Sequence, residues 1–203
     1  MKITNENYKQ FSLFVIFLVF ISSSIAYSIS TLLSYFQFDI PFYIDLPISA
    51  PALFALFFYI FDKHLWKEKH FHKFLKKTGI IIADDLNGKW KGIVKSSYDN
   101  FKKDIAAELV IQQTATQVTI RAKFNESKSI SVHESFGKNE IDDCFSLYYF
   151  FRNHPNSEAV ETMAMHEGSA ILSYNQEDDE LVGHYYSGRN RNNHGTISVK
   201  RVK

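Results

Sequence analysis

The stretch Tyr185-Tyr186-Ser187-Gly188-Arg189-Asn190-Arg191-Asn192-Asn193-His194-Gly195-Thr196 concentrates the groups best suited to holding an anionic, base-bearing ligand. Arginine forks grip phosphates, tyrosine faces stack on bases, and asparagine reads a base edge as both donor and acceptor. A solvated hairpin turn is the other reading, because Gly, Asn and Arg are ordinary turn residues. The density of hydrogen-bonding groups favours a site, with Tyr185, Tyr186, Arg189, Arg191, Asn192, His194 and Thr196 as its candidate contacts. Three residues elsewhere join them. Tyr98 follows Ser96-Ser97 at a strand end, where it can close over a ligand. Arg121 sits within a strand; an inward pose would demand an anion, an outward one only solvent. Tyr148 and Tyr149 face opposite ways in a strand, so one of them, taken as Tyr149, reaches a cavity.

No comparable cluster serves bond making or breaking. The chain has no Gly-x-Ser-x-Gly elbow and no phosphate-cradling P-loop. His133 and Glu134 are strand neighbours that face apart, and nothing in the sequence pairs His166 with Glu167. A lone cysteine, Cys144, excludes an internal disulfide framework and any multi-cysteine metal site. The expectation is a non-enzymatic binding protein without cofactor or metal.

Charge narrows the partner. Residues 1–77 carry 8 Lys/Arg against 5 Asp/Glu, and residues 78–203 carry 15 against 17. A slightly acidic domain lacks the basic face that a general binder of DNA or RNA needs, while a few placed arginines suffice for a small anion.

The elements that must position these residues follow from periodicity. All eight glycines lie at Gly79 or beyond, where apolar alternation gives about eight strands. They are read as Leu86–Ser96, Ile105–Gln113, Gln117–Phe124, Ser129–Phe136, Cys144–Asn153, Ser169–Tyr174, Glu180–Ser187 and Thr196–Arg201. One face carries Trp90 and Val94, Leu109 and Ile111, Val118 and Ile120, Leu147, Tyr149 and Phe151, Leu181, Gly183 and Tyr185. Antiparallel closure of such strands makes a small barrel whose interior holds one small ligand. Trp90 is expected at its floor. His154–Glu167 is the one long connection and is expected to carry a short helix or lid.

Ahead of this domain lie two apolar runs. Phe11–Phe36 contains 26 residues and no charge, enough to cross a bilayer as a helix. The second span is placed at Leu46–Trp66, with Gln37–Asp45 as the connection. Lysines flank both outer ends and none lies in the connection, so the positive-inside rule sets both termini in the cytoplasm. Ser24-Ile25-Ala26 resembles a signal-peptide cleavage site, yet the apolar run continues ten residues past it and a second run follows. Lys63–Lys77, with six lysines, reads as a basic collar on anionic lipid rather than a metal site at His70 and His72. Ser22, Ala26, Ser30 and Ser34 recur every fourth residue, a small-residue stripe for packing within the hairpin or between protomers. The fold class is thus membrane plus all-β: a two-helix transmembrane hairpin (1–77), then an antiparallel β-barrel of about eight strands (78–203).

Gly88-Lys89-Trp90 is similar to the Gly-x-Trp that opens lipocalin barrels, and a membrane-anchored carrier of a lipid or other hydrophobe is one function open to this architecture. A structural module that binds another protein through the barrel surface is a second. The paired spans, Leu86-Asn87-Gly88-Lys89-Trp90-Lys91-Gly92, and Tyr185–Arg191 through Gly195-Thr196 together resemble the transmembrane β-barrel effectors of bacterial CBASS antiphage defence. That resemblance implies a barrel receptor for a cyclic dinucleotide made by a partner nucleotidyltransferase. It further implies homo-oligomerisation in the inner membrane on activation, disruption of the bilayer and abortive infection.

Overall fold

The computed structural model describes residues 7–36, 49–138, 145–161, 163–188 and 191–202. The chain forms two compact units, Asn5–Ile82 and Ala83–Lys203.

In the first unit, α1 spans Tyr8–Tyr35. Its 28 residues cover about 42 Å, more than the roughly 30 Å of a hydrocarbon core. Among the described residues it is the one helix long and apolar enough to cross a membrane. Helix α2 runs Ala50–Lys63, with proline in its first turn where a missing N–H is harmless. Its 14 described residues cover about 21 Å. The expected continuation to Trp66 does not occur. The chain leaves the helix at His64 and makes a short 3-10 turn at Leu65–Lys67, which buries Trp66 completely. A third helix, α3, follows at Lys69–Lys77, capped by the Glu68 side chain on the His70 N–H at 3.2 Å. His72 Nδ1 lies 2.9 Å from the Trp66 carbonyl, so this ring serves the break in the helix. The expected connection Gln37–Asp45 and the start of the second span at Leu46 lie outside the described residues.

Helices α1 and α2 pack together, with Phe14 and Phe61 rings 4.6 Å apart. The small-residue stripe is divided between environments. Ser22 is fully buried, its hydroxyl donating to the Leu18 carbonyl at 2.7 Å; Ala26 is half-buried, while Ser30 and Ser34 are exposed.

The second unit is a closed antiparallel barrel in which each strand pairs with its sequence neighbours and the last pairs with the first. Its strands are β1 Gly88–Ser96, β2 Ile105–Gln113, β3 Val118–Phe124, β4 Ser127–Lys138, β5 Phe145–Pro155, β6 His166–Asn175, β7 Glu180–Ser187 and β8 His194–Arg201. A bulge in β4 between Ser131 and His133 shifts the register there. The expected helix or lid after β5 is a single 3-10 turn, Ser157–Ala159. Cys144, the expected start of β5, lies outside the described residues.

One end of the barrel is sealed. Trp90 is wholly buried and its Nε1–H donates to the Leu86 carbonyl at 3.0 Å. The Arg201 guanidinium lies 4.3 Å above the Trp90 ring, pairs with Asp179 at 3.0 Å, and donates to the backbone carbonyls of Asp85 and Asn87. Gln113 takes the Leu86 N–H on its side-chain oxygen at 2.8 Å, which is why regular pairing begins two residues later than the sequence suggests, at Gly88. With this end closed, an opening is left at the other.

Candidate functional site

The open end holds a cavity of about 380 Å³, within the range of small-molecule pockets. Its shape follows from the register. One inner row around the barrel reads Tyr149, Ala170, Tyr185, Gly195, Ser96 in successive paired strands, and the next reads Phe151, Gly168, Ser187. Large rings thus alternate with residues that have little or no side chain. A Cβ on Gly168 would come within 2.4 Å of Phe151 Cζ, and one on Gly195 within 2.4 Å of Tyr185 Cε1. The rings lie across the glycines, and the space they leave is the cavity. Val94, Ile197 and Phe124 extend its apolar lining, while Ser96, Asn153 and Arg191 bring polar groups to it.

Burial pushes the Tyr149 hydroxyl well above the ordinary tyrosine value, so it stays protonated and uncharged. Burial raises Tyr185 as well, against the pull of neighbouring Ser96 and Arg191. His166 is held below the usual imidazole value by burial first and by the nearby Arg191 cation besides, in opposition to its contact with the Ala164 carbonyl at 3.0 Å.

The β7–β8 hairpin brings Arg191 to the mouth. The Ser187 N–H donates to Asn193 O at 2.8 Å, the Gly188 N–H to Glu167 O at 2.7 Å, and Asn192 takes a left-handed φ of 47°. The Arg191 guanidinium carbon stands 5.6 Å from the centre of the Tyr98 ring, while its Nη1 is buried with no hydrogen-bond partner among the described residues. The loop Ser97–Asp99 faces this hairpin and is tied to it by the His194 N–H, which donates to Ser97 Oγ at 3.0 Å.

Of the sequence-derived candidates, Tyr98, Tyr149, Tyr185 and Arg191 line the cavity. Five others point elsewhere. Alternation that sends Tyr185 inward sends Tyr186 outward, where it is 53% exposed. Thr196 lies outside for the same reason, between the inward Gly195 and Ile197 of β8. Arg121 sits opposite Val110 and Ile130 on the outer face and is solvated. His194 is exposed with its ring 5.8 Å from Phe101, and Asn192 is exposed at the turn. Arg189 lies outside the described residues. Conversely, Asp99, Asn153, His166 and Met163 line the cavity without having been candidates. Asn153 had a signal: it continues the inward series Leu147, Tyr149, Phe151 as a polar residue, and it is 4% exposed with its amide 3.5 Å from Met163 Sδ.

A family described as "Cap15, cyclic dinucleotide receptor domain" matches residues 83–201, from the first residue of the barrel unit to the last residue of β8. A second description, "Cap15, TM helices", matches residues 14–67. The chain belongs to the Cap15 family. It is also similar to CD-NTase-associated protein 15 of Yersinia aleksiciae, with 30% identity over 158 residues that cover 77% of this chain and 71% of that protein. As a Cap15-family member it is a CBASS membrane effector whose barrel is a cyclic dinucleotide receptor domain and whose helices form a transmembrane region.

Proposed function

We propose that the barrel binds a cyclic dinucleotide in its open-end cavity and that binding drives homo-oligomerisation in the bacterial inner membrane, breaching the bilayer and ending the infected cell's life. The protein does this without catalysis and without a cofactor. Its supply of ligand comes from a partner cyclic-nucleotide synthase. Both termini lie in the cytoplasm, where the ligand is made, and the second span crosses back to put the barrel there.

The observation that carries this reading is the unpartnered Arg191 Nη1 at the mouth of a ring-lined cavity. Flat aromatic and aliphatic walls accept base faces, and a guanidinium donor awaits an acceptor of the ligand. A lipid-like cargo would suit the walls formed by Val94, Phe124, Phe151 and Ile197 equally well. An uncharged hydrophobe would, however, leave the Arg191 donor unserved, and a fatty acid would meet it with a carboxylate but bring no base to the ring-lined wall.

The test uses the full chain in proteoliposomes loaded with a dye. Adding a cyclic dinucleotide should release the dye and produce cross-linked oligomers, while a fatty acid should do neither. Ser30→Leu with Ser34→Leu, on the exposed part of the α1 stripe, should keep ligand binding and suppress both responses. Saturable binding with no leakage at any protein density would overturn membrane disruption. Binding of the fatty acid in place of the nucleotide would favour a carrier.

A further inference from the structure

Among the described residues, two side-chain atoms of the cavity-lining residues are buried and have no hydrogen-bond partner: Asp99 Oδ1 and Arg191 Nη1. Their charges are opposite, and the Arg191 guanidinium lies over the ring of Tyr98, the chain neighbour of Asp99, so both belong to one side of the cavity mouth. A buried acceptor and a buried donor left without partners are each costly. The surrounding loop nevertheless keeps them that way. Asp99 Oδ2 accepts from the Lys103 N–H at 2.9 Å, and the Tyr98 N–H donates to Ser96 Oγ at 3.2 Å. Directly after Asp99, Asn100 and Phe101 take left-handed φ values of 58° and 61°, a conformation rare for a ring-bearing side chain. The Phe101 N–H donates to Ser96 O at 2.8 Å, and its ring stands against His194, which holds the turn in place. Backbone strain of this kind persists where a loop must aim a particular group. Here the group aimed is the Asp99 carboxylate.

We infer that Asp99 and Arg191 together read a guanine base of the ligand. This rests on the barrel being a cyclic dinucleotide receptor, and it adds which base is selected. A carboxylate oxygen only accepts hydrogen bonds and a guanidinium only donates them. Guanine divides its own groups in the same way, with the N1–H and N2–H donors adjacent and the O6 and N7 acceptors adjacent beyond them. The N–H side therefore meets Asp99 and the O6/N7 side meets Arg191. The other bases fit less well. Uracil has one N–H between two carbonyls, so a carboxylate aimed at it meets a repelling oxygen on either side. The adenine amino group lies between two ring-nitrogen lone pairs, and adenine has no carbonyl for the guanidinium. Cytosine offers one amino group beside a ring nitrogen, with its carbonyl on the far side of that nitrogen. Asp99 thus rejects the other bases by repulsion as well as choosing guanine by attraction.

The test is equilibrium binding of the full chain in detergent to cyclic di-GMP, cyclic di-AMP, cyclic di-UMP and cyclic GMP-AMP. Both guanine-containing ligands should bind roughly ten- to a hundredfold more tightly than the other two, the discrimination of a good bidentate base contact. Asp99→Asn, which presents an amide donor to the guanine N–H groups, should shrink that gap to within a few-fold. A circular dichroism spectrum and melting curve check that the variant folds, and Asp99→Ser replaces it if it does not. Equal affinity for all four, a preference for cyclic di-AMP or cyclic di-UMP, or a guanine preference that survives the substitution in the folded variant would overturn the base assignment and leave the receptor standing. Failure of the wild-type protein to bind any of the four would overturn the receptor reading itself.

Discussion

Replacing Arg191 by methionine separates binding from stability, because the two should move in opposite directions. The substitution keeps the aliphatic stem and removes the guanidinium. In the free protein that guanidinium contributes a cation–π contact with Tyr98 at 5.6 Å, worth about 0.5–1 kcal/mol at a partly exposed site. Against this stands the buried Nη1 with no partner, a penalty of about 1–3 kcal/mol. The lost attraction to the nearby Asp99 carboxylate offsets part of that gain, so the balance predicts a barrel whose stability is unchanged or raised by up to about 1 kcal/mol. With ligand present the account reverses, since a charge-assisted bond to an acceptor of the ligand is worth about 1.5–3 kcal/mol, or roughly 10- to 150-fold in affinity. Calorimetric titration with the cognate cyclic dinucleotide, paired with thermal unfolding followed by near-ultraviolet circular dichroism, measures both quantities. Unaltered affinity would remove Arg191 from the ligand contacts. A drop of many degrees in Tm would show that the guanidinium is part of the scaffold and refute the argument from its unpartnered nitrogen.

His166 should make binding proton-linked. Its pKa is lowered in the free barrel by burial and by Arg191, and an anion beside it favours the imidazolium and raises that pKa. Affinity should therefore climb as pH falls through the bound-state value and level off below the free-state value, with protons taken up on binding. Titrations in buffers of different ionisation enthalpy detect the uptake, and His166→Asn should abolish it. At the sealed end, Arg201→Met removes the Asp179 pair and strips the Asp85 and Asn87 carbonyls of their donor. The expected loss is about 2–3 kcal/mol in urea unfolding, mostly from those carbonyls, because a partly exposed ion pair adds little. Ligand affinity should stay within about twofold, because distant sites act independently.

Period-two alternation carried most of the barrel into the open. Leu147, Tyr149 and Phe151 were read as inward and all are buried. The same rule, applied through the hairpin, would have turned Tyr186 and Thr196 outward and left Tyr185 inside. Their chemistry suits a ligand contact, but strand parity decides where they point. The start of β6 was hidden for a different reason. His166, Glu167 and Gly168 are poor strand formers, and they pair only because β5 lies alongside, with Arg152 bridging to Glu167 at 2.8 Å. Asp99 was invisible because its place depends on two successive left-handed residues, neither of them glycine. Nor did hydropathy reveal the helix break at His64, where burying Trp66 outweighs continuing the run.

The pairing of β1 with β8 sets a timetable for biosynthesis. Arg201 donates to the Asp85 carbonyl across 116 positions of the chain, and the Val202 N–H reaches the Lys89 carbonyl at 2.8 Å. Contacts so distant in sequence form late, since a long loop must be closed before any of them is gained. On the ribosome, the apolar N-terminal segment emerges long before the final strand exists to close the barrel. A chain cut short of Arg201 would carry the apolar helix and most of the cavity lining with an open edge at either side of the gap. The receptor domain thus becomes competent to hold its ligand only once β8 has been made and has closed on β1.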